Sequence, residues 1–378
     1  MQILKVVFVI IGTLIGAGFA SGQEVYAFFF SFGLKGLLGI IISSILIGII
    51  IYKTLKIVTE KNVDNYKKFI DYFIKNETVK NIINTTINIF ILLSFYIMIA
   101  GFGAYLQQEY EINSIIGSTI LGILSYFLFK TNVNGIIKIN EILIPILISV
   151  VTIIGIINFK NLDIANIKYY ITTQNTKSWL ITGILYASYN CVLLIPVLIT
   201  MKEFIKKKTD IKYIAYIVTT IVIILLSIVY MLLINIDVDI NKLEMPAVYA
   251  INRICPIMKN IYGIIILISI FTTAISLGIS FINNTSKNKK QFSKIGLLIC
   301  STAIVFSKIG FANLVNILYP ILGMLGLVQV ILMVVKENEK REKTTGTKGT
   351  NNGDVENLFQ KSCQNKKKNV EKQRKYKR

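Results

Sequence analysis

The chain has no histidine, one tryptophan, five prolines and four cysteines in 378 residues. Without histidine there is no imidazole general base, no His-ligated metal site and no histidine proton relay. Cys191, Cys255, Cys300 and Cys363 share no metal-ligand or redox spacing and read as free thiols. Acidic residues are scarce as well, 20 against 41 Lys and Arg, for a net charge of +21. The lysines sit in loops between apolar runs and at the C-terminal end, so the charge reads as membrane topology rather than as a nucleic-acid surface. Nowhere do a nucleophile, a base and an orienting group come together, which argues against an enzyme.

What is abundant is apolar. Hydrophobic residues make up 54% and charged residues 16% of the chain, and the mean hydropathy is +0.64. Such values indicate an all-α polytopic membrane protein. Ten segments are long enough to span a hydrocarbon core of roughly 30 Å: 3–32, 34–57, 82–106, 112–129, 135–157, 178–204, 211–236, 261–282, 292–306 and 311–335. The first lacks a small-residue cleavage site and is followed at once by another span, so it does not read as a signal peptide. In the linker 58–80, Tyr66, Phe69, Ile70 and Phe73 form an amphipathic pattern suited to the interface. Met245-Pro246-Ala247-Val248-Tyr249-Ala250-Ile251 is too short to span and reads as a re-entrant or surface helix capping the bundle. Lysine-rich loops follow segments two, four, six and eight, and the alternate loops are poorer. By the positive-inside rule both termini are cytoplasmic, at the plasma membrane. Residues 1–335 read as one transmembrane domain and 336–378 as a disordered basic cytoplasmic tail.

The first segment carries Gly12-Thr13-Leu14-Ile15-Gly16-Ala17-Gly18-Phe19-Ala20-Ser21-Gly22-Gln23-Glu24. Each glycine costs a helix roughly 1 kcal/mol relative to alanine, and four of them followed by an amide and a carboxylate suggest a helix built to break. A break in lipid is tolerated only where it lines a cavity or is buried in protein. The alternative is close helix packing, because Gly12 and Gly16, and Gly18 and Gly22, have small-xxx-small spacing. Segment six is expected to be interrupted in the same way at Tyr186-Ala187-Ser188-Tyr189-Asn190. Halved at about 1–158 and 178–335, the chain gives two five-span repeats. An odd number of spans makes such repeats inverted, each opening on a discontinuous helix, the pattern that marks a secondary-transporter site.

Gly12 to Glu24 resembles the opening signature of the YkvI-type bacterial membrane proteins, a group without an established substrate. That group is similar to the amino acid/polyamine/organocation transporters of the five-plus-five LeuT-type fold. The resemblance implies a sodium site between helices one and eight, with carbonyls from Gly12 and Ile15, a carbonyl from Ser269, and the hydroxyls of Thr272 and Thr273. Read from the residues alone, those hydroxyls would bond to the preceding helical turn. A second sodium site of the wider fold needs Asn where this chain has Phe19, which puts that site in doubt. The resemblance also places a solute carboxylate near the amides of Ala17, Gly18 and Ser21, with Tyr96, Tyr189 and Asn190 completing the pocket. Glu24, with Gln23 beside it, reads either as a gate or proton-coupling carboxylate or as a structural one bonded to the loop. Glu141 reads as an interfacial partner of Lys138. The function implied is sodium-coupled symport of a small amino-acid-like or organic-amine solute, with Na+ the only cofactor and no nucleic-acid partner. The competing readings are proton coupling through Glu24 and a non-transporting ligand sensor on the same fold.

Overall fold

Ile- and Leu-rich runs that must satisfy every backbone group without water have the helix as their solution. The structure, a computed structural model describing residues 2–74, 76–129, 134–160, 178–205 and 207–346, contains helices and no strand among the described residues. The first segment comes in three pieces, α1 (Gln2–Leu14), α2 (Ala17–Ser21) and α3 (Gln23–Phe28). There follow α4 (Leu34–Glu60), α5 (Tyr66–Phe73), α6 (Glu77–Tyr110), α7 (Ser114–Leu128) and α8 (Asn134–Lys160). The second half holds α9 (Trp179–Thr200), α10 (Lys208–Leu233), α11 (Pro246–Ile254), α12 (Pro256–Thr285), α13 (Lys289–Phe306) and α14 (Phe311–Gly346).

Among the described residues eight helices are long and apolar enough to cross a membrane, and α1 and α7 are shorter apolar helices. With the pieces of the first segment taken together, these are the ten segments read from the sequence. Helix starts fall where Asn side chains accept first-turn amides, at Asn65, Asn76, Asn113 and Asn288. Prolines occupy the first turns of α11 and α12, where a missing N–H costs nothing. Along α4, Ile40, Ile47 and Ile51 are buried, whereas Ile41, Ile45 and Ile49 form an exposed stripe. An apolar stripe on both the inner and the outer face is what a lipid-bathed helix requires. The interior is built by α9 and α10 against α4, α12 against α6, and α1 against α8, α9 and α10. The described residues up to Val330 form one compact unit, and those from Ile331 belong to a second.

Two expectations are corrected. Segment six is not discontinuous: α9 runs unbroken from Trp179 to Thr200. Its polar residues turn back on their own helix, Ser188 Oγ donating to Ile184 O at 2.8 Å and Asn190 Nδ2 to Tyr186 O at 2.9 Å. The tail expected to be disordered from 336 starts as helix, since α14 continues to Gly346. Residues 347–378, and the side chains of Lys138 and Glu141, lie outside the described residues.

Candidate functional site

The break in the first segment follows from its glycines. The Ile15 amide still bonds Ile11 O at 2.8 Å, and the next backbone pairing is Ala20 to Gly16 O at 3.0 Å. Gly16 is extended, with φ −91° and ψ −173°, and Gly22 closes α2 in the left-handed region at φ 82°. The carbonyls of the last turn of α1, Gly12 to Ile15, are therefore taken up by no following helix amide among the described residues.

Glu24 is the centre of the site. Only 2% exposed, it folds back from α3 over the start of α2. Its Oε2 accepts the Tyr189 hydroxyl from α9. The fold-back explains Gly18, where a Cβ would come within 2.7 Å of Glu24 Cγ and 2.8 Å of Cδ. No basic side chain pairs with Glu24 among the described residues. Around the carboxylate stand aromatic rings: Tyr189 stacks on Phe28 at 5.7 Å and on Tyr319 of α14 at 4.9 Å, and Tyr186 meets Tyr189 edge-on at 5.4 Å.

The other half of the break is held by α11 and α12. Tyr262 donates its hydroxyl to Ala20 O at 2.6 Å. Both groups are buried, so Tyr262→Phe leaves that carbonyl without a partner and is expected to cost about 1–3 kcal/mol, read by thermal unfolding of the purified protein. Ala247, on the short helix anticipated as a cap, packs against Gly22. Gln108 fixes that helix from α6, accepting the Met245 amide at 2.8 Å and donating to its carbonyl at 3.1 Å. Glu244, just before it, accepts the Ala312 amide at 2.6 Å at the start of α14.

Burial holds the Glu244 carboxyl above the usual carboxylate range, against the opposing hydrogen bonds from Ala312 and Phe311. A raised folded-state value means that the native state binds the proton more tightly than the unfolded chain. The stabilising contribution is thus full below the ordinary carboxylate range and is lost as pH rises through the folded value. Glu244→Gln, a mimic of the protonated form, should gain in melting midpoint over wild type as pH is raised from about 4 to 7. A difference independent of pH would contradict this. A cavity of about 280 Å³ adjoins Glu244, lined among others by Gln107, Ser114, Lys308 and Phe311.

The remaining residues singled out from the sequence divide. Ser21 is in the break, its Oγ donating to Gly18 O at 2.9 Å and accepting the Gln23 amide at 3.2 Å. Gln23 donates to Asn316 Oδ1 at 3.1 Å and keeps a buried Oε1 without a partner. Glu24, rather than open space, lies at the amide end near Ala17 and Gly18. Tyr96 is not brought there: it pairs with Thr302 at 2.6 Å and packs on Phe306, toward α13. Asn190 is spent on its own helix, as above. Gly12 packs toward Ile144 of α8, 2.8 Å from where its Cβ would be. On α12, buried Thr272 donates to Ser269 O at 3.2 Å, and Thr273 is half-buried. Phe28, Tyr262 and Tyr319 were missed. Tyr319, a phenol before Pro320 in an aliphatic span, was the one with a sequence signal.

No family model matches the chain. Over 327 residues it is 28% identical to the "uncharacterized membrane protein YkvI" of Bacillus subtilis (strain 168), covering 84% of this chain and 91% of YkvI. YyaD of the same strain is 26% identical over 324 residues, covering 85% of this chain and 93% of YyaD. Both are homologues along nearly their full length, in keeping with the YkvI-type signature at Gly12 to Glu24. Among solved structures, a Na+-coupled sialic acid symporter in its substrate-bound outward-open state matches with a TM-score of 0.54 at 14% identity, over 88% of this chain and 78% of that one. At that identity the likeness concerns the fold, and the chain is a multi-pass membrane protein of LeuT-type architecture.

Proposed function

We propose that the chain is a secondary active transporter of the plasma membrane, with both termini cytoplasmic, and not an enzyme. It would move a small solute by alternating access around the break between α1 and α3. The observation that carries the reading is the buried Glu24, held between the start of α2 and Tyr189 where the first helix is interrupted. A broken helix with half-helix ends at a polar centre is the usual form of a transporter binding site. The two inverted five-span repeats belong to the same proposal.

Sodium is the coupling ion we propose, held by the carbonyls of Gly12, Ile15 and Ser269 and the hydroxyls of Thr272 and Thr273. Neutral oxygens suit a hard cation, and the negative end of α1 adds to the attraction. The unpaired last-turn carbonyls of α1 support this set. The Thr272 hydroxyl would turn from Ser269 O to the ion. The test is thermal stability in sodium chloride against choline chloride at equal ionic strength. A ligand at one hundred times its dissociation constant stabilises by about 2.7 kcal/mol, so a sodium-specific rise, lost in Thr273→Val, is expected. Equal midpoints in the two salts would count against sodium.

One observation favours a second reading: Glu24 is buried without a basic partner, and a buried lone carboxylate is costly until it takes up a cation or a proton. Proton coupling through Glu24 predicts that Glu24→Gln abolishes the pH dependence of uptake. Uptake unchanged in rate and pH profile would exclude it.

A further inference from the structure

The site already contains a carboxylate at the amide end of α2. The Glu24 side chain lies against the backbone of the break, with its Cγ 2.7 Å and its Cδ 2.8 Å from where a Cβ on Gly18 would be. Gly18, where a side chain would obstruct it, leaves the room that Glu24 fills. A solute bringing its own carboxylate to this place would find the space filled and a like charge at contact distance, which is strongly unfavourable in a dry site. A solute bringing an ammonium would find the opposite.

Three further features fit an ammonium. Its N–H groups need several acceptors, and the buried Oε1 of the neighbouring residue Gln23 has no partner among the described residues. The residues that Gln23 and the Glu24–Tyr189 pair meet on α14, Asn316 and Tyr319, lie one turn apart. Tyr189, which bonds the carboxylate, packs with Phe28, Tyr186 and Tyr319 in one aromatic cluster, and such rings attract organic cations and bury their carbon skeletons. In the closed arrangement the Tyr189 hydroxyl occupies Glu24, and rotation of that one side chain would free the carboxylate for a ligand N–H.

We infer that the solute is an organic ammonium ion without a carboxylate, its charge held by Glu24 within the rings of Phe28, Tyr186, Tyr189 and Tyr319. The inference rests on the transporter reading only in taking this break as the solute site. Glu24 then acts as a tethered replacement for the carboxylate of an amino acid, and the protein selects amines over the amino acids from which they differ by that one group.

The test uses purified full-length protein and matched pairs: phenethylamine with phenylalanine, isobutylamine with valine, and cadaverine with lysine. Binding is read from the concentration dependence of the melting midpoint. For at least one pair the amine should bind about tenfold or more tightly than its amino acid, and Glu24→Gln should bring the two toward parity. Equal or tighter binding of the amino acid in every pair, no binding by any amine, or an amine preference undiminished in Glu24→Gln would overturn the inference. The wild-type comparison decides alone if that variant does not fold. Counterflow in proteoliposomes separates this claim from the transport reading. Amine binding without counterflow would refute transport and leave the amine site standing. Saturable counterflow of a carboxylate-bearing solute that outcompetes its amine would do the reverse.

Discussion

Replacing Gly22 with alanine is expected to destabilise the protein by about 2–5 kcal/mol, the sum of two separate costs. At φ 82° an L-residue is strained by about 1–2 kcal/mol. The new methyl would also lie 2.9 Å from Ala247 Cβ and 3.0 Å from its backbone nitrogen. That nitrogen belongs to α11, which Gln108 fixes through the neighbouring Met245, so the contact is relieved only by moving the cap, at about 1–3 kcal/mol for overpacking. Gly16 is the control. It has no atom within 4 Å of its Cβ position and no positive φ, so Gly16→Ala should stay within about 0.5 kcal/mol. Thermal unfolding of the two variants under identical conditions checks the contrast, and equal midpoints would contradict it.

Gly18→Ala is expected to abolish solute binding and to cost about 0.5–2 kcal/mol of stability. Alanine is the better helix former by about 1 kcal/mol, which by itself would stabilise α2. The methyl displaces the Glu24 side chain, however, and hydrogen bonds to a charged group contribute about 1.5–3 kcal/mol each. The bond from the Tyr189 hydroxyl is at stake, so the loss outweighs the gain. Adding Glu24→Ala removes the group that the methyl strikes, and the double variant should be less destabilised than the two single changes summed. Strict additivity would show that Gly18 and Glu24 do not meet.

The broken first helix was legible because four glycines in one short stretch weigh together against a continuous helix, and Glu24 because a carboxylate at that depth demands a reason. What Glu24 does there was not legible. Its fold-back onto α2 depends on the turn at Gly22, and its Tyr189 partner lies on a helix distant in sequence. The interruption expected at Tyr186 to Asn190 failed for a physical reason: Ser188 and Asn190 can bond carbonyls one turn back, so polar residues in a span need not break it. Tyr96 was assigned to the pocket from the resemblance alone, and its hydroxyl found Thr302 instead. The short helix after Met245 was readable from its length and its proline, whereas its seat against Gly22 was not, because a contact between Ala247 and a glycine has no signature in the chain.

The central claim is that the buried break at Gly16–Gly22 opens alternately to the two sides of the membrane. Ser21 is fully buried in the break, and Ser21→Cys, with the native cysteines replaced, reports on it through membrane-impermeant thiol reagents in oriented vesicles. The account predicts labelling from either side in turn: sodium or a bound amine changes which side reacts, and both sides never react at once. If the thiol introduced by Ser21→Cys reacts from neither side under any of these conditions, yet reacts fully on unfolding, the account is contradicted.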